Sequence, residues 1–387
     1  MNASIYIHIP FCKSRCAYCG FYSSTISELR DVYVDALCHE LTLRKDYLPT
    51  DATIQTLYIG GGTPSQLTEG QLSRLLSNIY NNVRKPQEVT VECNPDDVTD
   101  AYARHLRSCG VNRVSMGAQT FDDNRLRFLG RRHNAGQVAD AMQSLRKAGF
   151  ENISIDLMFG FPGQTLVEWT SDIRQVVALR PEHISAYSLM YEEGTLLHSM
   201  LERGQVKEID EELSRKMYET LCDMLQDAGY EHYEISNFAR VVEKTQTGTA
   251  ACEGYRSRHN SGYWNGTPYL GLGAAAHSFD SKSRQWNVSD VRQYIDSIQQ
   301  DVIPCEREVL DEATRYNDLI VTALRTCDGI RLSNLAEDLG DDYRDYLLRN
   351  AQKNVALGLL AIEDDHIHLT RKGLYVSDMV MEELMKV

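Results

Sequence analysis

From residue 5 to about residue 190, short apolar and β-branched runs alternate with stretches of helical periodicity, the pattern of βα units feeding a parallel sheet or barrel. The strand-like runs are Ile5 to Ile9, Thr56 to Ile59, Glu88 to Glu92, Arg113 to Met116, Asn152 to Met158 and His183 to Ser188. Between them the periodicity predicts helices over Leu29 to Tyr47, Glu69 to Tyr80, Asp100 to Cys109, Gly136 to Ala148 and Leu166 to Leu179. The expected fold is therefore α/β, with a partial (β/α)6 barrel over residues 1–200. Several strands end in polar or glycine-rich punctuation, and in βα barrels chemistry sits at that edge of the sheet.

Residues 200–250 read as charged and helical, ending in Glu243 to Gly254, a stretch poor in apolar residues that predicts an exposed loop. Residues 201–303 are taken as an extension of the barrel. After Pro304 the pattern predicts helices over Glu312 to Leu324, Leu332 to Leu339 and Tyr343 to Leu357, a hairpin from Leu359 to Leu369, and a last helix. That order suggests a small, mostly helical, winged-helix-like domain over residues 304–387. Such modules often bind DNA, but this one is rich in Asp and Glu, which favours packing or substrate covering instead.

Bulk properties narrow the classes. The formal charge of −15 disfavours nucleic acid, whose phosphates require clustered Lys and Arg. The start M-N-A-S-I-Y-I-H-I-P lacks a basic region followed by a long apolar run, and no later stretch reaches the roughly 18 to 20 apolar residues of a membrane span. No stable membrane insertion is expected, and the cytoplasm is the default location. Ten cysteines without a secretory signal, three of them close together, point to metal binding before disulfides.

Cys12, Cys16 and Cys19 form C-x-x-x-C-x-x-C directly after an apolar strand, so three thiolates project from one loop at the mouth of the expected barrel. Iron–sulfur cubanes are normally held by four cysteines, and three leave one iron open to an exchangeable ligand. The amino and carboxylate groups of S-adenosylmethionine can chelate that iron, and an electron from a 4Fe-4S cluster can then cleave the adjacent C–S bond to a 5′-deoxyadenosyl radical. The competing reading is a closed tetrahedral zinc site with His8 or Cys38 as fourth ligand. Gly60-Gly61-Gly62-Thr63-Pro64 follows a strand and either presents backbone amides to a ligand or is simply a tight βα turn. Glu92, Gln119, Arg131 and Asp156 lie at or beyond strand ends, where a bound nucleoside needs hydrogen bonds and a paired carboxylate; each alone is equally compatible with a structural role.

Together these residues make the sequence resemble the radical S-adenosylmethionine proteins of the oxygen-independent coproporphyrinogen III oxidase family, and within it a branch of heme chaperones. The likeness is carried by Y-I-H-I-P-F-C-K-S-R-C-A-Y-C, G-G-G-T-P, V-E-C-N-P, S-M-G-A-Q-T-F, D-L-M-F-G-F-P-G-Q-T and R-H-N-S-G-Y-W, spread over nearly the whole chain. The resemblance implies that Tyr6, Tyr18, Gly61, Gly62, Thr63 and Glu92 seat S-adenosylmethionine. It places Gln119, Arg131 and Asp156 along the adenosyl or second-ligand region, with Tyr187 and Met190 at further contact positions.

Two departures separate the chain from the oxidases of that family, which carry a fourth cysteine two residues after the third and a long N-terminal segment over the substrate. Phe21 stands at the cysteine position, and the expectation is that no covering segment precedes the cluster loop. Instead His259-Asn260-Ser261-Gly262-Tyr263-Trp264 matches the H-N-x-x-Y-W signature associated with the heme chaperones. His259 is a candidate axial ligand to heme iron and Tyr263 and Trp264 are candidate stacking partners for a porphyrin, although the same run can be a packed turn. His277 is a second candidate ligand. The expected function is a chaperone that binds heme and passes it to an acceptor protein, carrying a 4Fe-4S cluster and S-adenosylmethionine. The alternative is oxidative decarboxylation of coproporphyrinogen III.

Overall fold

The computed structural model of the protein describes residues 1–49, 51–242 and 254–386. Six parallel strands lie side by side in chain order: β1 (Asn2–Ile9), β2 (Thr53–Gly61), β3 (Glu88–Cys93), β4 (Arg113–Gln119), β5 (Ile153–Phe159) and β6 (His183–Ser188). Each strand buries one row of apolar side chains under the outer helices. In β1 these are Ile5, Ile7 and Ile9, while Tyr6 and His8 take the opposite face, as a side-chain period of two requires. The outer helices Glu69–Asn82, Ala135–Lys147 and Leu166–Leu179 begin at reciprocal capping boxes, Thr68 with Gln71, Asn134 with Gln137 and Thr165 with Glu168. Each box satisfies two amide groups that the first turn would leave unpaired. The predicted helix Leu29 to Tyr47 is shorter, Arg30–Leu43, preceded by a single 3-10 turn.

Residues 200–250 differ from the expectation. Helices Leu196–Glu202 and Glu211–Asp227 are followed by an antiparallel hairpin, β7 (Tyr230–Glu234) and β8 (Asn237–Arg240), that extends the sheet beyond β6. The hairpin is hidden in the sequence because Glu234, on its inner side, is a buried carboxylate paired with Arg325 at 2.9 Å, so charge there does not mark a surface. The expected exposed loop Glu243 to Gly254 lies outside the described residues, except for Gly254.

Beyond β1 the sheet continues through strands that the sequence pattern did not single out. β9 (Tyr269–Leu272) pairs parallel to β1, followed by antiparallel β10 (His277–Phe279), β11 (Ser283–Asn287) and β12 (Cys305–Val309). The order is β12-β11-β10-β9-β1-β2-β3-β4-β5-β6-β8-β7, an open barrel wall with antiparallel wings. The C-terminal unit has its own core around Tyr316, Ile320, Leu335, Leu347 and Ile367. It contains helices Glu312–Ala323, Leu332–Leu339 and Asp341–Ala356 and a small sheet ordered β13 (Ile330–Arg331), β15 (His366–Leu369), β14 (Leu360–Glu363). The expected last helix is two short ones, Arg371–Leu374 and Ser377–Leu384. Among the described residues, no helix is long and apolar enough to cross a membrane.

Candidate functional site: a cavity behind the cysteine loop

The C-terminal ends of the parallel strands surround a cavity of about 560 Å³. Its mouth is formed by the loop after β1, which the chain ties down at several points. Cys12 donates its amide to Ser24 O at 2.9 Å, Ser24 to Pro10 O at 2.6 Å, Ala17 to Leu129 O at 2.9 Å and Leu197 to Ala17 O at 2.8 Å. Phe11, fully buried against Tyr33, anchors the start of the loop. Cys12, Cys16 and Cys19 all line this cavity. Burial raises the thiol pKa of Cys12 and of Cys19, and the neighbouring cysteines add to the rise. Three clustered thiols on one loop are a donor set suited to a cationic iron cluster, which stabilises thiolates.

The surroundings fit such a group. Thr63 Oγ1 lies 3.3 Å from Cys12 Sγ, and the Arg131 guanidinium lies 3.7 Å from Cys16 Sγ. Gly62 leaves no room for a side chain, since a Cβ there would meet the Pro10 carbonyl at 2.9 Å and Cys12 Sγ at 3.0 Å. The alternative ligands for zinc are turned elsewhere. Both nitrogens of His8 are engaged, Nδ1 with Tyr6 OH at 3.0 Å and Nε2 with Tyr22 O at 3.1 Å. Neither His8 nor Cys38 lines the cavity, and among the described residues no three His, Cys, Asp or Glu side chains converge as ligands of a single ion. A cubane makes no such demand, because each thiolate binds a different iron.

The lumen wall holds most of the remaining candidates. Gly61 has φ 110° and a Cβ there would strike the His8 ring at 2.6 Å, so its amide can turn inward and donate to Glu92 Oε2 at 3.1 Å. Glu92 also accepts from Tyr58 OH at 2.7 Å, and burial pushes its carboxyl up to about 7. Asp156 accepts from Ser115 Oγ at 3.3 Å and is pushed up to about 6, again by burial. Gln119 sits at φ 66° next to a register shift between β4 and β5, a bulge that aims its side chain into the lumen. Arg131 donates to Asn94 Oδ1 and to Gly117 O, both at 2.7 Å. Tyr187 and Met190 stand on the rim, 42% and 61% exposed, with Phe21 beside the cysteines at 70%. Tyr18 lines the mouth and packs on a small apolar cluster containing Leu129 and Leu197.

Tyr6 does not reach the cavity wall. Its ring stacks on Tyr58 and His259 at 6.2 and 6.3 Å, and its hydroxyl is taken by His8. The H-N-x-x-Y-W run is also a packed element and not an open turn. It forms the helix Arg258–Trp264, whose first amides, of Arg258 and His259, donate to the Glu88 carboxylate at 3.1 and 3.0 Å. His259 is 2% exposed, with Nδ1 2.7 Å from Thr56 Oγ1 and Nε2 2.9 Å from Tyr263 OH, and burial lowers its pKa to about 3. Neither nitrogen is presented to a ligand. Tyr263 packs edge-on against His259 and Tyr269, and Trp264 lies under the Arg325 guanidinium at 4.9 Å, next to the C-terminal unit. His277 is exposed on β10, stacked on Trp286, and is not part of the cavity.

Wall residues missed by sequence reasoning include Arg113, Ser115, Tyr58, Ser185 and Asn260. The alternation in R-V-S-M-G-A-Q contains the signal for the first two, since it puts positions 113, 115, 117 and 119 on one face.

A cysteine-loop cavity at the carboxyl ends of a parallel βα wall defines the class, and the comparisons agree. The model of the radical SAM superfamily matches residues 6–176, and that of the HemN C-terminal domain matches residues 310–376. The chain is 37% identical over 387 residues to the heme chaperone HemW of Bacillus subtilis, covering 97% of both chains. It is 31% identical over 388 residues to HemW of Mycobacterium tuberculosis, covering 98% of this chain and 94% of that one. The chain therefore belongs to the HemW family of radical SAM proteins. Among solved structures, coproporphyrinogen III oxidase (HemN) from Escherichia coli superposes with a TM-score of 0.83 at 22% identity, covering 99% of this chain and 90% of that one, a likeness of fold.

Proposed function

We propose that the protein is a heme chaperone, binding heme and transferring it to an acceptor protein, with a 4Fe-4S cluster on Cys12, Cys16 and Cys19 and S-adenosylmethionine in the cavity behind them. The observation that carries this reading is the full-length similarity to heme chaperones, accompanied by a departure from the oxidase pattern in the site itself. Where the resemblance gives the oxidases a fourth cysteine, Phe21 stands exposed at the cavity, as Tyr187 and Met190 do. An exposed apolar rim over a polar lumen suits a flat, largely apolar ligand that must dock and leave. When bound, the cluster supplies the electron that cleaves S-adenosylmethionine. The chain's own contribution is to orient that ligand: Gly61 and Gly62 let backbone approach it, Glu92 and Asp156 accept its hydrogen bonds, and Arg131 balances the thiolates.

The deciding experiment has two parts. Titration with heme is expected to saturate near one per monomer, and coproporphyrinogen III incubated anaerobically with S-adenosylmethionine and reductant is expected to yield no protoporphyrinogen. Robust turnover in that assay would make the protein an oxidase.

The raised carboxyls predict a pH dependence. Well below pH 6 both Glu92 and Asp156 are protonated; Asp156 ionises as the pH passes about 6 and Glu92 as it passes about 7. A sulfonium cation and ribose hydroxyls bind better to the ionised carboxylates, so S-adenosylmethionine affinity is expected to rise roughly tenfold between pH 5.5 and 7.5. Calorimetry across that range checks it. Glu92→Ala is expected to flatten the profile, and a wild-type profile already flat contradicts the assignment.

A further inference from the structure

Arg113 is a buried charge in the cavity whose role the site does not yet explain. It opens β4, is 1% exposed, and lines the lumen on the same face as Ser115 and Gln119. Its charged neighbours in the lumen are occupied: Arg131 by Asn94, Gly117 and Cys16, Glu92 by Tyr58 and Gly61, and Asp156 by Ser115. Arg113 Nε is buried without a hydrogen-bond partner, and among the described residues the guanidinium makes no hydrogen bond or ion pair. It acts on its surroundings by charge alone, favouring ionisation of Glu92 and Asp156 and opposing protonation of His259 and His183.

A guanidinium withdrawn from water with its donors unused is costly, and a carboxylate arriving in the lumen would satisfy it with two parallel hydrogen bonds. Arg113 stands four positions before Gly117, roughly 13 Å along β4, so this cation serves the inner end of the cavity and not the cysteine mouth. A dianionic phosphate is a poorer match, because Glu92 and Asp156 share the lumen.

We propose that Arg113 is a carboxylate anchor at the inner end of the cavity, its ligand a propionate of a porphyrin that passes the Phe21, Tyr187 and Met190 rim and enters the lumen edge-first, since a propionate arm alone is too short to reach it from the rim. The methionyl carboxylate of S-adenosylmethionine shares that chemistry, but the cluster reading places it at the open iron by the mouth. The porphyrin assignment rests on the heme reading above; the anchor itself does not.

The test measures dissociation constants on the reconstituted full-length protein for two matched pairs: heme against its dimethyl ester, and S-adenosylmethionine against 5′-methylthioadenosine, which lacks the amino-acid carboxylate. Arg113→Met is expected to weaken heme at least tenfold and leave the dimethyl ester unchanged, removing the wild-type preference for the free acid. Loss confined to S-adenosylmethionine keeps the anchor and assigns it the methionyl carboxylate. Equal loss, or no loss, for both members of both pairs overturns the anchor and leaves Arg113 as a counter-ion of Glu92 and Asp156. If the Met variant fails to fold, Arg113→Lys keeps the charge and loses the fork, and the same selective loss is expected at several-fold. Should the wild type bind neither heme nor its ester, the heme reading fails while the S-adenosylmethionine pair still decides the anchor.

Discussion

Replacing any one of Cys12, Cys16 or Cys19 with Ala is expected to abolish the broad visible absorbance of an iron–sulfur cluster after anaerobic reconstitution, and with it S-adenosylmethionine binding. Two thiolates do not retain a cubane, and no substitute ligand is in place. His8 is held by Tyr6 and Tyr22, and Thr63 offers only a hydroxyl. The loss should leave the fold intact, because the loop is tied down by backbone hydrogen bonds of Cys12, Ala17 and Ser24 that do not involve the thiols. Iron, sulfide and zinc analysis with far-ultraviolet circular dichroism checks both halves. Stoichiometric zinc without iron in the wild type would sink the cluster assignment.

The second large effect concerns His259. Truncation to Ala removes an imidazole stacked 4.8 Å from Tyr58, empties a buried volume, and strands the hydroxyls of Thr56 and Tyr263. Buried aromatic truncations and stranded polar groups put the loss at about 3–5 kcal/mol, measurable by denaturant unfolding. Because Tyr58 also donates to Glu92, S-adenosylmethionine affinity is expected to fall in the folded variant. Heme bound by the remaining folded protein is expected to keep the wild-type Soret maximum. A displaced maximum with unchanged stability would instead make His259 an axial ligand.

These two sites show how differently residues disclose their roles. The cysteine loop was legible because its chemistry is local: three thiols within one short loop need no distant partner to be recognised. The βα alternation was equally legible, since strands buried under helices must be apolar on one face and the helices between them begin at capping residues such as Thr, Asn and Asp. The H-N-x-x-Y-W run has the composition of a ligand site, yet that composition equally describes a helix whose polar groups face Glu88, Thr56 and one another. Nothing local separates the two, because Glu88 lies 171 residues away along the chain.

By itself, the sequence determined the parallel wall, the cysteine loop, the glycine turn after β2 and the acidic balance that argues against nucleic acid, since each follows from residue type and short-range spacing. Only the tertiary structure decided what depends on distant partners. It made β7 and β8 a hairpin, with Glu234 buried against Arg325. It brought β9 beside β1, some 260 residues apart, to extend the wall. It also turned His259 inward and left Arg113 Nε buried without a hydrogen-bond partner among the described residues. A charge reads as surface in a sequence because burying it alone is unfavourable, and only the folded chain shows which charges have found partners.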